Sequence, residues 1–298
     1  MDIINSDRFL SKDVAAEQPW LIDDLIKTKS LVIVAAFPKS GKSFFTLALS
    51  QAVATGTSFL GKFAVPNPEP VLICNQEDSE CMTQDRYKML ALGSSIPTPA
   101  PGYMNFAVGS DLRVDDPRSL GDFKNSIAKM ARIPRLFVFD VLTTFHSGND
   151  TDQKQATTIV RAFNSIRDDF NACVMVVAHC RKEAGKGNVR IRGSGVFAGA
   201  MEVGILLEKT GSRVDVELEN KFADTPKFSY ELLKENGGIK LSELTDEIIW
   251  EREISELKRE QEASEERLKD VLKDTRPTFG DAFTEIACSI INGFGRLL

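Results

Sequence analysis

Apolar residues gather in short unbroken runs at residues 31–35, 71–74, 136–140 (closed by Asp140), 174–178 and 203–207. Continuous apolar strands are covered on both faces, which is the pattern of a parallel sheet. Between the first four runs, apolar positions recurring every 3.6 residues predict helices over 42–54, 79–92, 118–131 and 153–170. Strands alternating with helices in this way predict an α/β fold, with a mainly parallel, twisted sheet flanked by helices. Residues 94–102 carry Pro97, Pro99 and Pro101, whose missing N–H groups exclude helix and predict a stiff loop. Further on, residues 214–218 and 227–230 alternate apolar with polar, which predicts half-exposed antiparallel strands at one sheet edge.

Composition narrows the class. With 298 residues, 42% of them hydrophobic, the chain can bury a sizeable core as one α/β domain with extensions or as two small domains. No segment approaches the roughly 18 apolar residues of a membrane span, and Asp2, Asp7 and Asp13 leave the first residues without a signal-peptide pattern. The expected setting is cytoplasmic, with no membrane partner. The five cysteines, Cys74, Cys81, Cys173, Cys180 and Cys288, contain no C-x-x-C and read as reduced thiols. A net charge of −6 argues against a surface coated for nucleic acid, so any DNA contact has to come from a local basic strip.

The chemistry begins after the first apolar run, where residues 36–43 read Ala36-Phe37-Pro38-Lys39-Ser40-Gly41-Lys42-Ser43, with Phe44 opening the helix. A loop of this type between strand and helix cradles phosphates: Gly41 lets the backbone approach, and N–H groups at the helix start point at the anion. Lys42 reaches the β- and γ-phosphates of ATP, and the Ser43 hydroxyl completes a Mg²⁺ shell. The first position is usually glycine and here is Ala36, so the backbone there has to tolerate a Cβ. Asp140, ending a buried strand, is the expected second magnesium ligand, against the plain alternative of a strand-terminating turn residue. Asn75-Gln76-Glu77-Asp78 follows the strand at 71–74. Glu77 is placed to orient or deprotonate a water behind the γ-phosphate, and Asp78 serves equally as the N-cap of the next helix. His179, at the end of 174–178, is positioned to sense the γ-phosphate or is an ordinary polar strand terminus. Beyond it Arg181, Lys182, Lys186, Arg190 and Arg192 are interspersed with glycines, a basic loop suited to a single-stranded nucleic-acid backbone or simply solvated.

Taken together, residues 36–43, Gln76-Glu77-Asp78 with Arg86 beyond, Phe139-Asp140 followed by Phe145-His146, His179, and Arg192-Gly193-Ser194 resemble the RecA-like P-loop ATPases, most closely the RepA-type hexameric replicative helicases of plasmids and phages. The resemblance spans about residues 18–235 and includes the leader Pro19-Trp20-Leu21-Ile22-Asp23, although Lys27-Thr28-Lys29-Ser30 stands where relatives generally carry a glycine-containing turn. It implies a RecA-like core, ATP and Mg²⁺ as ligands, and a homo-oligomeric ring, a hexamer, with ATP between neighbouring subunits. By position it implies that Lys42, Glu77 and His179 are catalytic, that Asp140 is magnesium-associated, and that the basic loop grips single-stranded DNA. It also implies a cation acting on the neighbour's γ-phosphate, for which Lys221 is the candidate and Arg213 the second; an ordinary surface lysine at 221 is the alternative. A bacterial cytoplasm, with a plasmid or phage gene, follows from the same likeness.

The resemblance does not reach residues 243–298. The predicted organisation is therefore a leader (1–30), an ATPase core (31–242) and a C-terminal helical arm (243–298). In the arm, Trp250, Ile254, Leu257, Gln261, Ser264, Leu268 and Val271 are spaced alternately by four and three, a heptad seam with a polar interruption. A coiled coil between subunits and a single exposed helix both fit. After Arg276-Pro277, Phe279, Phe283, Ile286, Ala287, Ile290, Ile291 and Phe294 share one helical face, either docking a protein partner or packing back on the chain's own core. Two functions are carried forward: a DNA-translocating ATPase of helicase type, and a non-translocating RecA-like switch that controls assembly or partner binding.

Overall fold

A five-residue helix, α1 (Ser6–Leu10), and a small antiparallel pair, β1 (Trp20–Ile22) and β2 (Ile26–Lys27), lead into β3 (Leu31–Ala36). The computed structural model describes residues 4–11, 13, 18–94, 96–148, 151–180, 195–222 and 227–275. The strands continue as β4 (Val71–Asn75), β5 (Met104–Val108), β6 (Leu136–Asp140), β7 (Cys173–His179), β8 (Val203–Thr210), β9 (Arg213–Asn220), β10 (Phe228–Glu235) and β11 (Gly238–Leu244). The helices are α2 (Lys42–Thr55), α3 (Glu80–Gly93), α4 (Pro117–Ala128), α5 (Gln153–Phe170), α6 (Gly195–Ala200) and α7 (Asp246–Thr275). The chain divides into two units, Met1–Glu243 and Leu244–Leu298.

The larger sheet has the order β11-β10-β9-β8-β3-β7-β6-β4-β5. Neighbours from β8 through β3, β7, β6 and β4 to β5 are parallel, while β8 with β9 and β9 with β10 are antiparallel. Side chains alternate strictly between two cores. Val32, Val34 and Ala36 of β3, Cys173, Met175 and Val177 of β7, and Leu136 and Val138 of β6 join Phe45, Leu49 and Val53 of α2 on one face. Leu31, Ile33, Ala35, Val174, Val176, Phe137 and Phe139 face Ile127 of α4 and Ile159, Phe163 and Ile166 of α5 on the other. Phe45 is fully buried, its ring edge-on to Phe59 at 5.3 Å and 5.8 Å from Tyr230. Burial of such a ring contributes about 2–3 kcal/mol, which fixes α2, and with it the loop before it, against the sheet.

Four details differ from the sequence-based expectation. β1, β2, β5 and β11 are not among the expected strands: β5 is partly exposed along most of its length, and Phe106, itself exposed, packs its ring 5.2 Å from Tyr87 rather than lying in a strand-like apolar run. The strand β10 is not half-exposed at its start: β11 lies beyond it at the sheet edge, and Phe228, Ser229, Tyr230 and Glu231 are all buried. The predicted helix at 118–131 ends at Ala128, where Lys129 and Met130 close the last turn with N–H bonds to Ser126 and Ile127. At the turn before β3, Lys29 adopts a φ of 56°, the left-handed conformation that glycine adopts without steric cost. The turn geometry is therefore present with a side chain on it.

The second unit, as far as Thr275, consists of α7, unbroken through the polar interruption of the heptad seam. Trp250 and Leu257 are 63% and 65% exposed. The apolar face expected at residues 279–294 lies outside the described residues.

Candidate functional site

Strand parity assembles the cleft. Because Leu136 and Val138 face α2, Asp140 does too; the same alternation turns Asn75 of β4 and His179 of β7 toward that face, at the carboxyl ends of their strands. Register aligns them: Asn75 is level with Asp140, and Ala36 with His179. In parallel α/β sheets the crevice beyond these strand ends is the place for ligands. Here it is a cleft of about 410 Å³ lined by residues that include Lys42, Ser43, Glu77, Asp78 and His179.

The loop over the cleft runs from Ala36 to Gly41. Pro38, Lys39, Gly41, Lys42, Ser43 and Phe44 line the cleft, and Ser40 is buried. Ala36 is not part of the loop's curvature. It is the last residue of β3, paired with His179 on one side and Leu207 on the other, so its Cβ is accommodated as in any strand. The left-handed conformations fall later, at Lys39 (φ 64°) and Gly41 (φ 83°). A Cβ on Gly41 would also lie 2.8 Å from Cδ1 of Leu232 in β10, which reaches over the loop.

Lys42 is 8% exposed, and its ammonium donates to the carbonyls of Phe37 at 3.1 Å and Ala36 at 3.4 Å. Burial pushes its pKa down, opposed by the negative charge of Asp140 and Glu77. Ser43 Oγ donates to Asp140 Oδ2 at 3.0 Å. Asp140 is 4% exposed, and burial lifts its carboxyl to about 6, helped by Glu77 and Asp78 and resisted by the Ser43 hydrogen bond and Lys42. Its other oxygen, Oδ1, is buried without a hydrogen-bond partner among the described residues. Hard oxygen donors, one of them an unpaired carboxylate oxygen beside the Ser43 hydroxyl, fit a small divalent cation such as Mg²⁺.

Glu77 projects from the turn after β4, on the exposed rim of the cleft. Asn75 builds that turn: its Oδ1 accepts from the N–H groups of Glu77 and Asp78, both at 2.9 Å. Its Nδ2 donates to Asp78 Oδ2 at 3.3 Å and to Thr83 Oγ1 at 3.4 Å. Asp78 is not the N-cap of α3. Ser79 is, its hydroxyl accepting from the Met82 N–H, while the Asp78 carboxylate pairs with Arg86. The reason is geometric, since Asp78 turns back toward Asn75 and the guanidinium two helical turns on.

Lys209, at the end of β8, and Arg86 also line the cleft. Neither has a role in the sequence-based assignment, and Lys209 has no local signal because β8 is brought beside β3 only by the fold. Lys221 lies outside its own cleft, its Nζ donating to the Gly199 carbonyl at 3.3 Å. Arg213 is engaged by Asp215 at 2.7 Å and Ser229 at 3.4 Å. Arg181, Lys182, Lys186, Arg190 and Arg192 lie outside the described residues.

Comparison with known proteins bears on the family and the fold. A family model for an AAA domain matches residues 6–185. Among solved structures, one ATPase domain is similar with a TM-score of 0.56 at 13% identity, over 73% of this chain and 86% of that one. A DnaB-like replicative helicase, solved to show its interactions with primase, is similar with a TM-score of 0.55 at 14% identity, over 71% of this chain and 57% of that one. At such identities the likeness establishes the fold, which is RecA-like: a mostly parallel sheet between helices, extended by antiparallel strands. No curated protein sequence matches the chain.

Proposed function

The chain belongs to the AAA-domain family, and from that premise we propose that it is an ATP-hydrolysing motor acting on single-stranded DNA as a ring-forming helicase. The observation that carries the reading is the pair Ser43–Asp140 at 3.0 Å beneath the phosphate loop, with the second Asp140 oxygen unpaired and Glu77 across the same cleft. Lys42 would turn from the loop carbonyls to the β- and γ-phosphates. Ser43 and Asp140 would hold Mg²⁺, which when bound neutralises charge on the phosphate oxygens. Glu77, on its Asn75-braced turn, would align water behind the γ-phosphate and accept its proton. His179, level with Ala36 in the sheet through β7, would report γ-phosphate occupancy to the basic segment that follows it, a role supported by that register.

Lys221 would act on the neighbouring subunit's nucleotide in a hexamer, a role supported by its position outside its own cleft. The basic residues at 181–192 would carry the DNA strand. No described helix is long and apolar enough to cross a membrane, and the proposed setting is a bacterial cytoplasm with a plasmid- or phage-borne gene. A second reading, a non-translocating ATPase switch, draws support from the exposed Trp250 and Leu257 of α7, which offer a partner surface. The two separate in one measurement: ATPase rate with and without single-stranded DNA at two salt concentrations. The motor reading expects a severalfold stimulation that fades with salt as phosphate contacts are screened. Hydrolysis indifferent to DNA, with no salt-dependent binding, would leave the switch.

A further inference from the structure

The arm helix α7 carries a seam that is nearly symmetrical about its own middle. Apolar positions 254 and 257 and apolar positions 268 and 271 flank a polar centre, Gln261 and Ser264. The helix runs continuously across that centre for 30 residues, about 45 Å at 1.5 Å per residue. Trp250 and Leu257 on the seam are exposed, and none of the described ion pairs involves Lys258, Glu260 or Arg267 beside it. A largely polar helix standing alone gains little stability from its own hydrogen bonds, and a seam of this kind is covered by another helix.

We propose that α7 pairs with α7 of a second copy, antiparallel and in full register. Charge complementarity selects both the partner and the direction. With the polar centres opposed, Ile254 meets Val271 of the second copy, Leu257 meets its Leu268, and Gln261 meets its Ser264. The flanking positions then set Lys258 against Glu265 and Glu260 against Arg267, with Glu253 against Asp274 as the one repulsive pair, and the two-fold axis repeats each contact. Parallel pairing would instead bring Glu260 against Glu265 and Asp246 against Glu251, leaving Glu253 with Lys258 as the one attractive pair. An isologous contact closes on itself and does not propagate around a ring. It therefore couples chains two by two, adding a level of assembly beyond the head-to-tail contacts of a motor ring.

The experiment uses the full chain. Gln261→Cys protein is mixed with Ser264→Cys protein under mild oxidation, and linked peptides are identified by mass spectrometry, so that the five native cysteines are told apart from the introduced ones. Antiparallel pairing predicts an excess of mixed 261–264 links, whereas parallel pairing yields 261–261 and 264–264 links. The second arm is charge reversal, read by sedimentation. Glu260→Arg faces Arg267 and should weaken self-association about three- to tenfold, and the double variant Glu260→Arg with Arg267→Glu should restore it. Same-residue links in excess, tighter association of Glu260→Arg, or no link at either position would each overturn the proposal. These readouts do not depend on hydrolysis, so they stand apart from the DNA-stimulation test of the motor.

Discussion

Two carboxylates serve one cleft from opposite circumstances. Asp140, on the floor, is 4% exposed, joined to Ser43 and lifted by burial to about 6. Glu77, on the rim, is exposed and sits on a turn whose N–H groups are tied to Asn75. A buried carboxylate with an unpaired oxygen is costly to the fold and valuable to a cation, whereas an exposed one on a braced turn is open to water. On the proposed reading, the division between floor and rim would separate holding a cation from reacting with water.

The largest effect should come from the rim. Glu77→Gln keeps shape and removes the base, so turnover should fall about 10²- to 10⁴-fold while fluorescent-nucleotide affinity stays within a few fold. Near-normal turnover would move the reacting group elsewhere. The floor should respond in stability. With its carboxyl raised from an ordinary 3.8 to about 6, the folded chain holds this proton more tightly than the unfolded one. The group's contribution is fully present below about pH 4 and is lost as pH rises through about 6. Asp140→Asn should therefore stabilise the metal-free, nucleotide-free chain by on the order of 2–3 kcal/mol at pH 7 and very little at pH 4, while weakening Mg²⁺-dependent nucleotide binding. Denaturant titration at both pH values checks this, and an equal gain at both would contradict the burial argument. The smallest effect tests the link between the two regions. Asn75→Ala releases the Glu77 turn and should lower kcat about five- to tenfold, equivalent to about 1–1.4 kcal/mol, with KM little changed. A rise in KM at constant kcat would place Asn75 in nucleotide binding instead.

Much of this was legible in the chain. The continuous runs at 31–35, 136–140 and 174–178 marked the strand positions to within a residue of their ends, and the faces follow once the strands are set in a sheet, because side chains on a strand alternate. Helices α2, α3 and α5 followed from spacing within a residue or so of their ends. What escaped depended on partners distant in sequence. β5 reads as strand only once it is set beside β4, with which it pairs from Met104 to Val108, and β11 begins where Gly93 and Gly238 let α3 and the strand touch backbone to backbone; a Cβ on Gly238 would collide with the Met89 carbonyl. Asp78 was legible as a carboxylate near a helix start, yet its choice between capping and Arg86 was decided by Asn75, whose buried amide holds the turn. Lys209 and Leu232 enter the cleft from β8 and β10, strands that the local sequence cannot set beside the phosphate loop.

The alanine that opens the loop has a mechanical meaning. Ala36 is clamped between His179 and Leu207, and its carbonyl accepts from the Cys180 N–H at 3.1 Å as well as from Lys42. A glycine there would act as a joint; this residue acts as a pivot fixed to both neighbouring strands. The loop proper is the short segment from Phe37 to Gly41, outside the strand pairing. On the proposed reading, a phosphate that displaced that segment would pull on the strand that ends in His179 and on the strand that carries Lys209, both held to Ala36.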